Sequence, residues 1–169
     1  MTCFIVSDFL HKHLLNAVLP LAVRGRFIAE GVWSGESVVC ISFDCDTDED
    51  MKRIPSLLRT LREKSIGSSF ALVGRLASRY QSIVGQILKE RHEVVNHTFS
   101  HPEKFGSANA SRMKEEIESF QKFMTDAFGY RPNGFRAPHL MRDYNEVLFD
   151  ILKKNGMYDS SYVGRGTTV

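Results

Sequence analysis

The central segment of this sequence is formed by residues 38–48, which read VVCISFDCDTD. Its apolar first half, bounded by polar residues, is typical of a strand covered on both faces in a parallel α/β sheet. Asp44 and Asp46 follow two residues apart, and alternate residues of an extended chain point to the same side. Both carboxylates can therefore face one small volume, where their repulsion favours a bound cation or a raised pKa. The alternative interpretation is a strand end followed by a helix cap that begins with Asp48.

Composition places the chain among globular proteins with a sizeable core, since 43% of its 169 residues are apolar. The net charge of +2, without a long basic run, argues against a nucleic-acid-binding protein. The three cysteines are scattered and odd in number, so no disulfide framework is expected. Cys45 lies between the two aspartates and is interpreted as a packed thiol on the opposite face of the strand.

The first residues are predicted to form a separate N-terminal element. We expect a helix at about 7–24 and a loop, so that residues 1–37 pack on a catalytic domain of residues 38–169. The apolar stretch 14–23 has the length of a signal-peptide core, but the charged residues on both sides favour an amphipathic helix. No run reaches the ~18 apolar residues of a membrane span, and we expect a cytoplasmic protein.

Strand and helix patterns alternate along the rest of the chain. We predict strands at 38–44, 69–73, 93–97, 134–136 and 158–162, and helices at 50–64, 76–90, 109–128 and from Asp143 to Gly156. Alternation of this kind implies βαβ units with parallel strands. The predicted fold class is therefore α/β, as an open doubly wound sheet or as part of a (β/α) barrel.

Polar residues follow three of these predicted strands. Asp44 and Asp46 end the first, His97 and His101 follow the third, and Arg136 ends the fourth. In parallel α/β folds, ligands gather at the carboxyl ends of the strands. Two histidines four residues apart on a loop or single turn can share a face and bind one metal ion, although satisfied or exposed histidines are the commoner case.

This set of residues suits a catalytic metal site. Two histidines and one carboxylate leave coordination positions open, as in catalytic rather than structural divalent sites. The second carboxylate can then serve as general base toward a water that the metal activates. Arg136 can pair with that base and hold it ionised, with a surface ion pair as its alternative role.

Three segments carry a resemblance to a known family: SFDCD at 42–46, HTFSH at 97–101 and RAP at 136–138. In this order and spacing they resemble the polysaccharide deacetylase family (carbohydrate esterase family four), and residues 159–161 are also similar to a segment found there. The resemblance, over about residues 38–162, implies a distorted (β/α) barrel. It implies an enzyme that removes acetyl groups from chitin, peptidoglycan or xylan with a divalent metal, commonly zinc.

The resemblance also implies roles for individual residues. Asp44 would be the general base and Arg136 its tether, while the metal ligands would be Asp46, His97 and His101. The expected partner is an acetylated sugar or polysaccharide substrate, with no nucleic acid and no membrane span. The commoner first motif has adjacent aspartates, and the spaced form found here resembles a branch that includes cyclic-amide hydrolases, which leaves an allantoin- or imide-type substrate as an alternative.

Two further departures concern the residue whose backbone amide helps hold the oxyanion, and the catalytic acid. His139 stands where many family members have Tyr, and the late histidine that members use as general acid is missing, because the histidines are at 11, 13, 92, 97, 101 and 139. We therefore expect a C-terminally incomplete domain with an intact metal site and weak or absent turnover, or with His139 as the acid. A non-catalytic carbohydrate-binding or assembly module is the rival interpretation, and an exposed sheet edge favours a homo-oligomer.

Overall fold

A single parallel sheet organises the computed structural model, which describes residues 40–140 and 146–161. Its strands are β1 (Ser42–Cys45), β2 (Ser69–Leu72), β3 (Glu93–Asn96), β4 (Gly134–Phe135) and β5 (Tyr158–Asp159). Each strand pairs in parallel with the next in chain order. Within the described ranges the sheet is not closed, and β1 and β5 are its outer strands. The predicted α/β class, with parallel βα units that form a partial barrel, is confirmed.

Helices connect the successive strands. They are α1 (Asp48–Glu63), α2 (Gly74–Arg79), α3 (Gln81–Lys89), α4 (Ala110–Phe128) and α5 (Glu146–Lys154). The sequence predicted one helix over 76–90, and this is wrong, because the chain leaves the helical region at Tyr80 (φ −109°, ψ 42°). The Tyr80 hydroxyl donates to Asp48 Oδ1 (2.9 Å), which ties the junction of α2 and α3 to the start of α1.

A capping box starts α1 directly after the aspartates. Thr47 Oγ1 accepts from the backbone N–H of Asp50 (3.2 Å), and Asp50 Oδ2 accepts from that of Thr47 (3.0 Å). Such reciprocal bonds satisfy two of the backbone donors that a helix start leaves unpaired. The helix-cap interpretation therefore holds for the residues after Asp46, which leaves the functional interpretation open only for Asp44 and Asp46.

The core consists of two apolar clusters, one between β1–β3 and the helices α1 to α4, the other around β4, α4 and α5. Helix α4 contributes a buried stripe to both, formed by Met113, Ile117, Phe120 and Met124. Cys45 is fully buried in the first cluster, and burial raises the pKa of its thiol, so the sulfur is neutral. The prediction of a packed thiol is confirmed.

Several predictions concern residues outside the described ranges. The helix at 7–24, the domain boundary near residue 37 and the helix start at Asp143 all lie there. In residues 40–140 and 146–161 no helix has the length and apolarity to cross a bilayer. The cytoplasmic location and the homo-oligomer stay predictions.

Two glycines provide a matched test of the helix assignments. Gly129 ends α4 in the left-handed region (φ 61°), whereas Gly85 lies inside α3 with nothing within 4 Å of an added Cβ. We expect Gly129→Ala to lower the free energy of unfolding by about 1–2 kcal/mol. Gly85→Ala should raise it by roughly 0.5–1 kcal/mol, because alanine is the better helix former. Urea unfolding of both variants measures this, and changes of the same sign would contradict the assignment.

Candidate metal centre

Three predicted ligands converge at the carboxyl edge of the sheet. Asp46 follows β1, while His97 and His101 belong to the loop that follows β3. Asp46 Oδ1 lies 3.2 Å from His97 Nε2 and 3.6 Å from His101 Nε2. One ligand atom from each residue lies within 4.8 Å of the other two. The parallel order of the strands thus brings together side chains that are about fifty residues apart in sequence.

The ring of His97 has a defined orientation. Its Nδ1 lies 2.7 Å from the backbone carbonyl oxygen of Arg136. Because a carbonyl can only accept, Nδ1 carries a proton, and Nε2 is the ring nitrogen that faces Asp46. A histidine bonded in this way through its second nitrogen is the usual form of a metal ligand.

Two atoms of the cluster lack hydrogen bonds. Asp46 Oδ1 and His101 Nε2 are buried and have no hydrogen-bond partner among the described residues. Burial raises the pKa of Asp46. Its interactions with His97, His101 and His139 outweigh burial and lower this pKa below the ordinary value. Burial, followed by repulsion from His97, lowers the pKa of His101. An ionised carboxylate and neutral imidazoles are the forms that bind a divalent cation, so these residues fit one.

Arg136 connects the first strand to the fourth. Its Nη1 donates to Asp44 Oδ1 (2.5 Å), its Nη2 to Ser42 Oγ (2.9 Å) and its Nε to Ser160 Oγ (3.2 Å). The side chains of Arg136 and Asp44 are only 9% and 13% exposed. The alternative of a surface ion pair for Arg136 is therefore wrong, and the pair is the one that the motifs predicted.

Residues 159–161 brace the segment around Arg136. Ser161 Oγ accepts from the backbone N–H of Ala137 (2.7 Å) and donates to Asp159 Oδ1 (2.5 Å). Ser160 Oγ accepts from Arg136 and donates to the carbonyl of Phe135 (2.9 Å). The sequence resemblance singled out this segment, but its structural role could not be predicted, since serine hydroxyls accept or donate wherever geometry allows.

The loop that carries the histidines has an unusual backbone. Thr98 and His101 adopt positive φ values of 64° and 57°. For non-glycine residues such conformations cost on the order of 1–3 kcal/mol each, and they persist where surrounding contacts impose them. Asn96 Oδ1 accepts from the N–H of Thr98 (2.9 Å), and the carbonyl of Thr98 accepts from the N–H of Gly74 (3.0 Å). The predicted loop is confirmed, and it is held in a strained conformation.

Comparison with known proteins places the chain in a family. A family profile described as "Polysaccharide deacetylase" matches residues 32–159. The chain belongs to the polysaccharide deacetylase family. A peptidoglycan-N-acetylglucosamine deacetylase of Bacillus cereus is 28% identical over 67% of this chain and 39% of its own length. A chitooligosaccharide deacetylase of Azorhizobium caulinodans is 28% identical over 84% of this chain and 65% of its own length.

Solved structures agree with this membership. A family 4 carbohydrate esterase from Streptomyces lividans, in complex with acetate, has a TM-score of 0.61 at 25% identity, over 70% of this chain and 58% of that one. A family 4 pseudoenzyme from Bacillus anthracis has a TM-score of 0.63 at 16% identity, over 70% of this chain and 40% of that one, and shows the fold alone. The chain spans about 39–65% of the length of the curated relatives above.

His139 lies beside the site in this deacetylase-family chain. Its ring centroid is 4.9 Å from that of His101, and its side chain is exposed. His139 and Leu140 have consecutive positive φ values of 60° and 48°. Its nitrogens do not belong to the group of three converging ligand atoms, so His139 borders the site without completing it.

Replacing the arginine fork tests the hydrogen bonds that join β4 to β1. We expect Arg136→Lys to lower the free energy of unfolding by about 1–3 kcal/mol, since one ammonium group cannot serve Asp44, Ser42 and Ser160 together and leaves buried groups unpaired. Arg62→Lys, at a surface pair with Glu90, is the matched control and should leave stability nearly unchanged. Chemical denaturation measures both variants, and an equal effect would contradict the buried role of Arg136.

Proposed function

We propose that this chain is the metal-binding part of a hydrolase that removes acetyl groups from N-acetylated polysaccharide of the chitin or peptidoglycan type. The observation that carries the proposal is the convergence of Asp46, His97 and His101 within 4.8 Å of one another. Beside them a second carboxylate, Asp44, is held by Arg136. The names of the B. cereus and A. caulinodans relatives support N-acetylated sugars as the substrate class.

The proposed roles follow from the contacts of each side chain. Asp46, His97 and His101 would hold a divalent cation, which when bound supplies Lewis-acid activation of water and of the acetyl carbonyl. Asp44 accepts a proton from the attacking water as general base. Arg136 orients Asp44 through its charged hydrogen bond.

Zinc is the proposed metal. Two imidazole nitrogens and one carboxylate oxygen form a donor set that zinc binds in catalytic sites, with further positions left for water and substrate. The proton on Nδ1 of His97, held by the carbonyl of Arg136, leaves Nε2 as the ligand atom. Arg136 therefore serves both parts of the site. Its backbone carbonyl orients the ring of His97, the proposed ligand, and its guanidinium orients Asp44, the proposed base.

Metal content of the purified protein tests the proposed ligands. We expect about one zinc per chain in the wild type after incubation with zinc, and loss of this zinc in His97→Ala, since a two-ligand remainder binds weakly. His92→Ala is the matched control, because His92 lies at the opposite end of β3 and bonds Ser68. Elemental analysis after dialysis measures the zinc, and equal zinc in His97→Ala and the wild type would remove His97 as a ligand.

Acetate release tests the proposed base. In Asp44→Asn the zinc should remain bound, while hydrolysis of N-acetylated chitin oligomers should fall by about 10²–10⁴, the usual contribution of a general base. Asp126→Asn, at an exposed pair on α4, is the control and should keep its activity.

A substrate panel separates the alternatives to this function. Release of product from allantoin or imides, without acetate from sugar oligomers, would indicate a cyclic-amide hydrolase that uses the same site. Binding of chitin oligomers by the zinc-loaded wild type without any product would favour a carbohydrate-binding module over a hydrolase that turns over slowly.

A further inference from the structure

Helix α4 carries a buried carboxylate that the proposed mechanism does not use. The side chain of Glu116 is 3% exposed, whereas those of Glu115 and Glu118 on the same helix are 63% and 47% exposed. Charged side chains are seldom buried unless they are paired and hydrogen-bonded. The partners of Glu116 therefore indicate what the burial achieves.

All described contacts of Glu116 are donors, and most belong to the loop that carries the histidines. Oε2 accepts from the backbone N–H groups of Phe99 (2.9 Å) and Ser100 (2.7 Å). Oε1 accepts from Ser100 Oγ (2.5 Å), and Arg112 Nη2 lies 2.6 Å from it. One carboxyl side chain thus binds two of the three residues between His97 and His101.

The bonded residues lie between the two strained positions of the loop. Thr98 precedes them with φ 64°, and His101 follows them with φ 57°. In this conformation the N–H groups of Phe99 and Ser100 point together at α4, where a single acceptor satisfies both. Without that acceptor two backbone N–H groups lose their partner, and only the remaining loop bonds, such as those of Thr98 to Asn96 and Gly74, hold the left-handed residues that direct His101 toward Asp46.

We propose that Glu116 is a positioning residue for the metal site, which holds the loop in the conformation that aims His97 and His101 at Asp46. The inference rests on the proposed function, since it assumes that these three residues bind the metal. The hydrogen bonds of Glu116 go to Phe99, Ser100 and Arg112 rather than to the three proposed ligands, and it acts through the backbone of Phe99 and Ser100. This role explains why a carboxyl group is buried at position 116, where neither the apolar packing nor the proposed base Asp44 needs one.

The chemistry of the four donors explains why a glutamate suits this position. Both oxygens of a carboxylate accept, so that backbone N–H groups, a hydroxyl and a guanidinium can all be served at once. In Glu116→Gln the amide oxygen can still face the two backbone N–H groups, but its NH₂ then faces Arg112 and the bonds lose their charge. In Glu116→Ala the loop loses all three of its bonds to this side chain, and Arg112 loses an ion-pair partner.

Metal affinity is the direct test, with Co²⁺ as a spectroscopic probe. We expect Glu116→Ala to weaken Co²⁺ and Zn²⁺ binding by roughly 10–100-fold, the range found for residues that orient metal ligands. Its Co²⁺ absorption spectrum should also change, because the coordination geometry changes. Glu116→Gln should bind more tightly than Glu116→Ala and more weakly than the wild type. Glu115→Ala is the matched control, since it also removes a partner of Arg112 (2.9 Å) but leaves the loop alone.

The outcomes distinguish this inference from the function on which it rests. Absence of metal binding in the wild type overturns both. Equal affinity and equal Co²⁺ spectra in the wild type and Glu116→Ala overturn the positioning role alone, even if the melting temperature of the variant falls. Should Glu116→Ala fail to fold, Glu116→Gln decides, because an affinity equal to that of the wild type overturns the inference.

Discussion

The hydrogen bonds of Arg136 impose a shape on the whole sheet. In a flat sheet with strands about 4.8 Å apart, β1 and β4 would lie about 14 Å from one another. That distance exceeds what an arginine and a serine span together, yet Arg136 donates to both Ser42 and Asp44 of β1. The sheet must therefore curve until its first and fourth strands approach, which is the curvature of a barrel wall. The site and the barrel geometry thus depend on the same side chain.

Alternation along β1 explains how one short segment serves three purposes. Asp44 turns to Arg136, Asp46 turns to the histidines, and Cys45 between them is buried in the core. Because successive side chains of a strand point to opposite faces, the residue between two aspartates that share a face belongs to the packing. The spaced form of the motif is therefore compatible with a base and a ligand at one site.

The sequence predicted the parallel sheet and the convergence of polar residues, since apolar periodicity and strand ends are local signals. It failed where tertiary contacts prevail, as at Tyr80, whose bond to Asp48 accompanies a break that helical periodicity does not reveal. It also missed Ser42 and Glu116. A serine in an apolar strand and a glutamate in an amphipathic helix look ordinary until the fold shows which donors and acceptors they meet. The one available signal was its spacing, because Glu116 lies three residues after Met113 and four before Phe120, on the apolar face of α4.

If the proposed cation binds, the unpaired atoms of Asp46 and His101 couple folding to the metal concentration of the surrounding solution. Buried polar atoms without partners oppose folding, and a cation that binds only the folded chain removes this penalty. Once the free cation exceeds its dissociation constant, each tenfold increase in its concentration adds about 1.4 kcal/mol to the free energy of unfolding. Stability would then report metal availability, and a chelator would act on this protein as a denaturant does.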